Sequence, residues 1–572
     1  MVPSSASKSP KDSSEDLNQT QLEDRLHAIK TKEQETVARR SAKNKKLPYI
    51  DLTIAPIESS AVWSIDEQKA RQAKLVLLHT MEKDGVSSAQ VALADPDDPA
   101  TQKALEELKQ TFSHLNIFLC SPRSLEIAWS RYLDKPSGEK NITKEVDIKT
   151  EKIDEFKKKI NNVKDVAALI KEAPQEKASE ILELIIAGAL QFNASDVHLE
   201  VREKSALLRY RVDGILQDVV EFPLLPFHIL TNRIKLLSEM KLNRQDIAQD
   251  GRFTIVFGEL KIEVRVSVIP GAYGENAVVR ILNPKTISLG LKDLGFREDE
   301  MELMAQEIKK PNGMIITTGP TGSGKTTALY TFIKEVASPE VKVITLEDPI
   351  EYHLPLITQT QIEPDRGYTF AAGLRAILRQ DPDIILVGEI RDKETAEIAI
   401  HASLTGHLVF STLHTNDAAG AVPRLVEMGA NPAILSAALN VVLAQRLARR
   451  LCSACRQEIT AEGTDKEFLA EVVESLPLAL KEKYQRSSFK IFQPQGCPQC
   501  NNTGYKGRIG IFEIIKIDGD LEKLIAGSPS HASIKEAAAK KNMTTMLQDG
   551  VIKVIDGITS IKEIKSVIGE DK

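Results

Sequence analysis

Residues Gly319-Pro-Thr-Gly-Ser-Gly-Lys325-Thr326 constrain this chain more than any other stretch. They lie between the apolar run Met314-Ile-Ile-Thr-Thr318 and the helix-like Thr327-Ala-Leu-Tyr-Thr-Phe-Ile333. G-x-x-x-x-G-K-[ST] between a strand and a helix is the pattern of a phosphate-binding loop, in which glycine-freed N–H groups wrap an anion at the helix N-terminus. On this reading Gly319, Pro320, Thr321, Gly322, Ser323, Gly324, Lys325, Thr326 and Thr327 form a nucleotide site. Lys325 reaches the β- and γ-phosphates, and Thr326 holds Mg2+. Chance would place the pattern in a chain of this length only about 0.02 times. The loop predicts nucleotide and Mg2+ binding; it does not say to what end.

The chain has 572 residues, too many for one core, so several domains are expected. A net charge of −6 gives no bulk attraction for nucleic acid, and no direct nucleic-acid partner is expected. No apolar run approaches the ~20 residues that span a bilayer, and the first residues lack the apolar core of a signal peptide. The expectation is a cytoplasmic protein that meets a membrane only peripherally, through partners. Of the five cysteines, Cys120 sits in an apolar run and is read as core. The other four form two C-x-x-C pairs, Cys452/Cys455 and Cys497/Cys500, which match a tetrahedral zinc site of four cysteines; reactive or unliganded thiols are the alternative.

Residues 1–46, rich in Ser, Lys, Glu and Gln, read as a disordered tail ending in the solvated basic cluster Ala38–Lys46. Residues 47–135 read as a small α/β docking domain, with a helical region over 65–78, a strand at 89–94, a helix at 101–112 and a strand at 116–120. Residues 136–172 read as a charged linker. From 173 to 284 a helix at 178–190 is followed by strands. Ile262, Val264 and Val266 alternate there with Glu263, Arg265 and Ser267, as in an antiparallel sheet with one wet face.

From 285 to 450 strands and helices alternate, predicting a mostly parallel sheet covered on both faces. Ligands of such sheets sit at the carboxyl ends of the strands. Val341–Leu346 ends in Glu347-Asp348, Asp383–Gly388 ends in Glu389-Ile-Arg391, and Leu408–Leu413 ends in His414. Three strands thereby deliver two acidic clusters and a histidine to the edge where the loop holds phosphates, which is the equipment of phosphoryl transfer. His407, at the other end of its strand, is expected to pack or hydrogen-bond locally.

At these residues the sequence resembles the hexameric secretion ATPases that drive type II secretion and type IV pilus assembly. The resemblance covers about residues 47–572 and rests on the phosphate loop, Thr345-Leu-Glu-Asp-Pro-Ile-Glu-Tyr352, Gly373–Asp383 running into Gly388-Glu-Ile-Arg-Asp392, and Thr405–Asn416. It implies a RecA-like α/β P-loop NTPase domain, preceded by a PAS-like α+β domain and a small N-terminal α/β domain. It also implies a zinc module over 451–515 and a helical segment over 516–572.

It further implies ATP hydrolysis with Glu389 orienting the attacking water, Glu347 as a second acid, Lys325 and His414 on the phosphates, and arginines completing the site in a homohexamer. The candidates are Arg233, Arg252, Arg265, Arg375, Arg379 and Arg391. Gly388, where most P-loop enzymes carry Asp, is itself a feature of the family. The implied partners are an inner-membrane platform protein, its cytoplasmic adaptor and, indirectly, the pilin or pseudopilin machinery. The cysteine module separates assembly ATPases from the retraction ATPases. Two departures stand out. Gln245-Asp-Ile-Ala248 replaces a basic pair and proline before Gln249-Asp-Gly-Arg252, and the two cysteine pairs lie about forty residues apart, longer than the generic zinc-ribbon spacing though the family tolerates it. The cyclic-di-GMP motif that some members carry is not found before Tyr49, so that ligand is not expected. The competing classes are a nucleic-acid translocase on the same core and a nucleotide-gated scaffold without turnover.

Overall fold

The computed structural model describes residues 33–83, 86–134, 145–147, 159–174, 177–257, 260–283 and 289–569. They divide into two compact units, one running to Ile281 and one from Leu282 onward, with Asn161–Val163 counted in the second. No helix among the described residues is long and apolar enough to cross a membrane.

The first unit begins with a three-stranded sheet, Leu75–Lys83, Val86–Leu93 and His114–Leu119 in that order, antiparallel then parallel. Leu75 and Leu77 pack with Val91 and Leu105, while Val76 and Leu78 pack with Leu125 and Trp129. Both faces are therefore covered, and this corrects the helix expected over 65–78. The helix there is only Glu67–Gln72, and Leu75-Val-Leu-Leu78, apolar at every position, is a strand buried on both sides.

The tail expectation is corrected as well. Residues 33–45 form a helix whose Ala38 and Ala42 pack with Leu119. Its buried Glu35 accepts hydrogen bonds from Ser121 Oγ (2.5 Å), Ser124 Oγ (2.8 Å) and the Tyr49 hydroxyl. A composition poor in aromatics conceals such a segment, because its small residues and one carboxylate find partners only on the folded domain. Residues 1–32 lie outside the described residues.

A seven-stranded sheet follows, ordered Glu145–Asp147, Gln249–Phe257, Leu260–Gly271, Gly274–Leu282, Asp196–Val201, Ala206–Val212, Ile215–Phe222. Ile262, Val264, Val266 and Val268 are buried and the intervening Glu263, Arg265 and Ser267 are not, as the alternation required. Two pieces of the expected linker belong to this sheet domain. Glu145–Asp147 pairs in parallel with Gln249–Phe257, and helix Val163–Glu172 places Val166 and Ile170 in its core.

The second unit carries the phosphate loop. The strands of its main sheet are β1 (Gly313–Thr318), β2 (Val343–Glu347), β3 (Ile357–Gln361), β4 (Ile384–Val387), β5 (Leu408–Leu413), β6 (Leu439–Leu451) and β7 (Tyr505–Lys516). They are ordered β3-β2-β4-β5-β1-β6-β7, all parallel except β7. One apolar cluster contains Ile316, Ile344, Ile385 and Val409, and another contains Ile315, Val343, Leu386 and Phe410. Neighbouring strand residues alternate between the two clusters, so both faces are covered, as β-strands flanked by crossover helices require. Helix α1 (Lys325–Val336) follows the loop, α2 (Phe370–Ile377) and α3 (Lys393–Leu404) flank β4, and four helices from Gly519 to Ile568 close the chain.

β6 and β7 pair antiparallel from Val441 opposite Lys516 to Leu451 opposite Tyr505. The segment with the four cysteines is therefore an excursion between two adjacent strands of the main sheet. Tyr505–Lys516, expected within a separate zinc module, belongs to the sheet itself.

Candidate active site

Three of the loop's glycines have backbone angles that side-chain-bearing residues rarely adopt: φ is +145° at Gly319, +79° at Gly322 and +89° at Gly324. Gly319 and Gly324 also make room for Gln445 of β6. A Cβ on Gly319 would stand 2.5 Å from the Gln445 carbonyl oxygen, and one on Gly324 would stand 2.8 Å from its Nε2. The loop thereby lies directly against β6. Lys325 opens α1, is nearly buried, and donates to the carbonyls of Gly319 (2.7 Å) and Pro320 (3.0 Å). Burial pulls its pKa below the usual lysine value, against the opposing pull of the Glu389 carboxylate. Thr321 and Thr326 are exposed, Thr327 is half-buried, and Ser323 is buried with an unpartnered Oγ.

The strand ends converge as the sequence required. Glu389, two residues past β4, has a side chain only 14% exposed. Arg391 pairs with one of its oxygens at 2.5 Å, and His414, just after β5, lies 3.5 Å from the other. Arg391 also faces Asp348 at 4.0 Å. The hydrogen bond to Glu389 raises the Arg391 pKa. Gly388 allows this approach: a Cβ there would lie 3.1 Å from the Leu346 carbonyl oxygen and 3.5 Å from Glu347 Cα. Thr318, the last residue of β1, accepts from Thr415 N at 2.8 Å, and its Oγ1 lies 2.8 Å from Thr415 Oγ1. The root of the phosphate loop is thus tied to the residue after His414. His407 Nδ1 sits 3.0 Å from the Ala402 carbonyl, a local contact of the kind expected for it.

Glu347 is placed differently. It is 4% exposed, and both its oxygens already have protein donors. Tyr330 of α1 donates to Oε2, while Thr345 Oγ1 (2.5 Å) and Gln359 Nε2 (3.1 Å) donate to Oε1. The acid expected beside the water therefore reaches the sheet edge enclosed. Tyr330, Thr345 and Gln359 were not legible as site residues; the nearest signal is that Tyr330 lies one helical turn past Thr326.

Of the six candidate arginines, the structure joins Arg391 to the cluster. Arg375 pairs with Glu394 and Arg379 donates to the Arg375 carbonyl at 3.0 Å, both exposed. Arg252 and Arg265 lie opposite each other in the sheet of the first unit, Arg265 beside Glu263 at 3.7 Å. Arg233 is mostly enclosed in that unit, where burial lowers its pKa against the charges of Glu58 and Glu183 and its Nε has no partner.

The ligand sulfurs of Cys452, Cys455, Cys497 and Cys500 all lie within 4.8 Å of one another. Cys452–Cys497, Cys455–Cys500 and Cys497–Cys500 are 3.9, 3.8 and 3.7 Å apart. A regular tetrahedron with ~2.3 Å metal–sulfur bonds has edges of about 3.8 Å, so the four thiolates fit zinc. Burial pushes the Cys500 thiol up, but the backbone N–H groups of Cys497 and Gly504, each 3.2 Å from its sulfur, contribute to bringing it down to about 7.

A lysine-bearing phosphate loop that faces a carboxylate across the carboxyl edge of a parallel sheet defines a P-loop ATPase of α/β fold. Comparison with known proteins narrows the class. Residues 171–566 match the family described as Type II/IV secretion system protein, well over half of the chain, and the chain belongs to that family. Residues 46–139 match the MshEN domain. The type IV pilus assembly ATPase PilB of Myxococcus xanthus is 37% identical over 478 residues, 83% of this chain and 82% of that one. The type II secretion system ATPase E of Vibrio cholerae is 35% identical over 526 residues, 91% of this chain and 99% of that one. Among solved structures, the ATPase DotB of Legionella pneumophila aligns over 67% of this chain and 94% of its own, with 21% identity and a TM-score of 0.49.

Proposed function

We propose that this chain hydrolyses ATP as a homohexameric motor that powers pilin or pseudopilin assembly in a type IV pilus or a type II secretion system. It works in the cytoplasm at the inner face of the cell membrane, against a platform protein and its cytoplasmic adaptor. The observation that carries the reading is the setting of Glu389: a largely buried carboxylate at a strand end, held by Arg391, flanked by His414 and sensed electrostatically by Lys325. Glu389 orients the water and accepts its proton. Lys325 leaves the Gly319 and Pro320 carbonyls for phosphate oxygens, and His414 meets the γ-phosphate. Thr326, exposed at the start of α1, would hold Mg2+, which neutralises developing phosphate charge when bound.

The exposed Arg252 serves in this reading to complete a neighbouring subunit's site, and the sheet domain is its PAS-like module. The cysteine cluster takes zinc as a structural ion, a closed site of four thiolates with no open position. One zinc per chain, lost in Cys455→Ser, is the expected metal content. Phosphate release from purified protein tests the enzyme: Lys325→Ala and Glu389→Gln each abolish turnover, and a Glu389→Gln protein that hydrolyses ATP at the wild-type rate ends the reading.

A further inference from the structure

The buried Glu347 carboxylate joins three elements of the second unit, α1, β2 and β3. Tyr330 approaches from α1, the helix that begins with Lys325 and Thr326. Thr345 precedes Glu347 on β2, and Gln359 approaches from β3. Gln359 does more than hold the carboxylate. Its Nε2 also donates to the Tyr352 carbonyl at 2.9 Å, and its Oε1 accepts from Leu354 N at 2.7 Å. The same amide therefore fastens the far end of the loop whose near end is Asp348. Asp348 faces Arg391, and Arg391 holds Glu389.

A charged group this enclosed persists when its oxygens are satisfied, and a carboxylate whose acceptor sites are taken by protein donors is poorly placed to receive a proton from water. Phenol, hydroxyl and amide all donate to the Glu347 carboxyl oxygens. Burial, then the charge of Glu347, raises the Tyr330 pKa, so the phenol stays protonated and stays a donor.

We infer that Glu347 is a positioning residue, clamped by Tyr330 and Gln359, that fixes the acidic loop so that Asp348 and Arg391 hold Glu389 in its working orientation. The clamp ties the phosphate-binding helix to the catalytic carboxylate without touching nucleotide. This rests on the reading of Glu389 as the base.

The test is a double-mutant cycle on the full-length protein, read by steady-state phosphate release and by equilibrium titration with a fluorescent non-hydrolysable ATP analogue. Tyr330→Phe removes one hydroxyl and keeps the ring. It is expected to lower kcat about tenfold while KM and the analogue's Kd change less than twofold. Gln359→Glu keeps the shape, places a second carboxylate against Glu347, and is expected to give a similar or larger loss of kcat. In a Glu347→Gln background Tyr330→Phe is expected to cost nothing further. Wild-type kcat in Tyr330→Phe overturns the clamp, as does a tenfold loss that persists undiminished on Glu347→Gln. Weakened analogue binding with unchanged kcat also overturns it, since it places Tyr330 in nucleotide binding. Glu389→Gln, run in parallel, separates the two claims: if it turns over at the wild-type rate, the assignment of the base fails whatever the cycle shows.

Discussion

Two neighbouring parallel strands carry a glutamate at their carboxyl ends, Glu347 as the last residue of β2 and Glu389 two residues past β4, and the two have opposite environments. Glu389 keeps some exposure and is met by the guanidinium of Arg391 and the imidazole of His414. Glu347, one strand away, is met by the neutral donors Tyr330, Thr345 and Gln359 and is closed off. A carboxylate paired with exposed side chains at a partly open edge can exchange partners during a reaction. One embedded among a phenol, a hydroxyl and an amide cannot do so without leaving buried donors unpaired. The same residue type at the ends of neighbouring strands is therefore left partly open in one place and enclosed in the other.

The contrast can be broken most sharply at the open end. Glu389→Gln removes the base while keeping size and burial, and kcat is expected to fall about 10²–10⁴-fold with little change in the unfolding midpoint. Next is Glu347→Ala at the closed end, where the Tyr330, Thr345 and Gln359 donors lose their acceptor. Denaturant unfolding is expected to show a loss of roughly 3 kcal/mol, against less than about 1 kcal/mol for Glu389→Ala. If the two alanine variants cost the same stability, the distinction between the ends is wrong. Arg391→Ala should be milder, about fivefold in kcat, because its pair with Glu389 is two-thirds exposed on the arginine side. Gly388→Ala is the smallest: a Cβ 3.1 Å from the Leu346 carbonyl should cost ~1 kcal/mol in stability and shift Glu389 enough to show in kcat.

Much of the second unit was legible before the structure. The loop's glycines, the parallel sheet, three strand ends at one edge and the paired cysteines are all written in local patterns of residue type and spacing. The errors fell where a segment acquires its character from elsewhere. Residues 33–45 carry little apolar bulk, yet Ala38 and Ala42 suffice once Leu119 is there to receive them. Leu75–Leu78 resembles a helix segment because a strand buried on both faces loses its period-two signal. The expected break at 451 divided two strands that pair across the whole cysteine excursion.

What the sequence alone determined is the chemistry available: an anion-wrapping loop built from glycines with positive φ, acids and a histidine at strand ends, and four thiolates in two turns. These depend on backbone conformations and spacings that neighbouring residues impose. Only the tertiary structure decided which acid is enclosed and which stays partly open. Tyr330, Thr345 and Gln359 reach Glu347 from a helix and two strands, while Arg391 and His414 reach Glu389 from the ends of two others. Strand order and register create both environments, and no stretch of sequence contains either one.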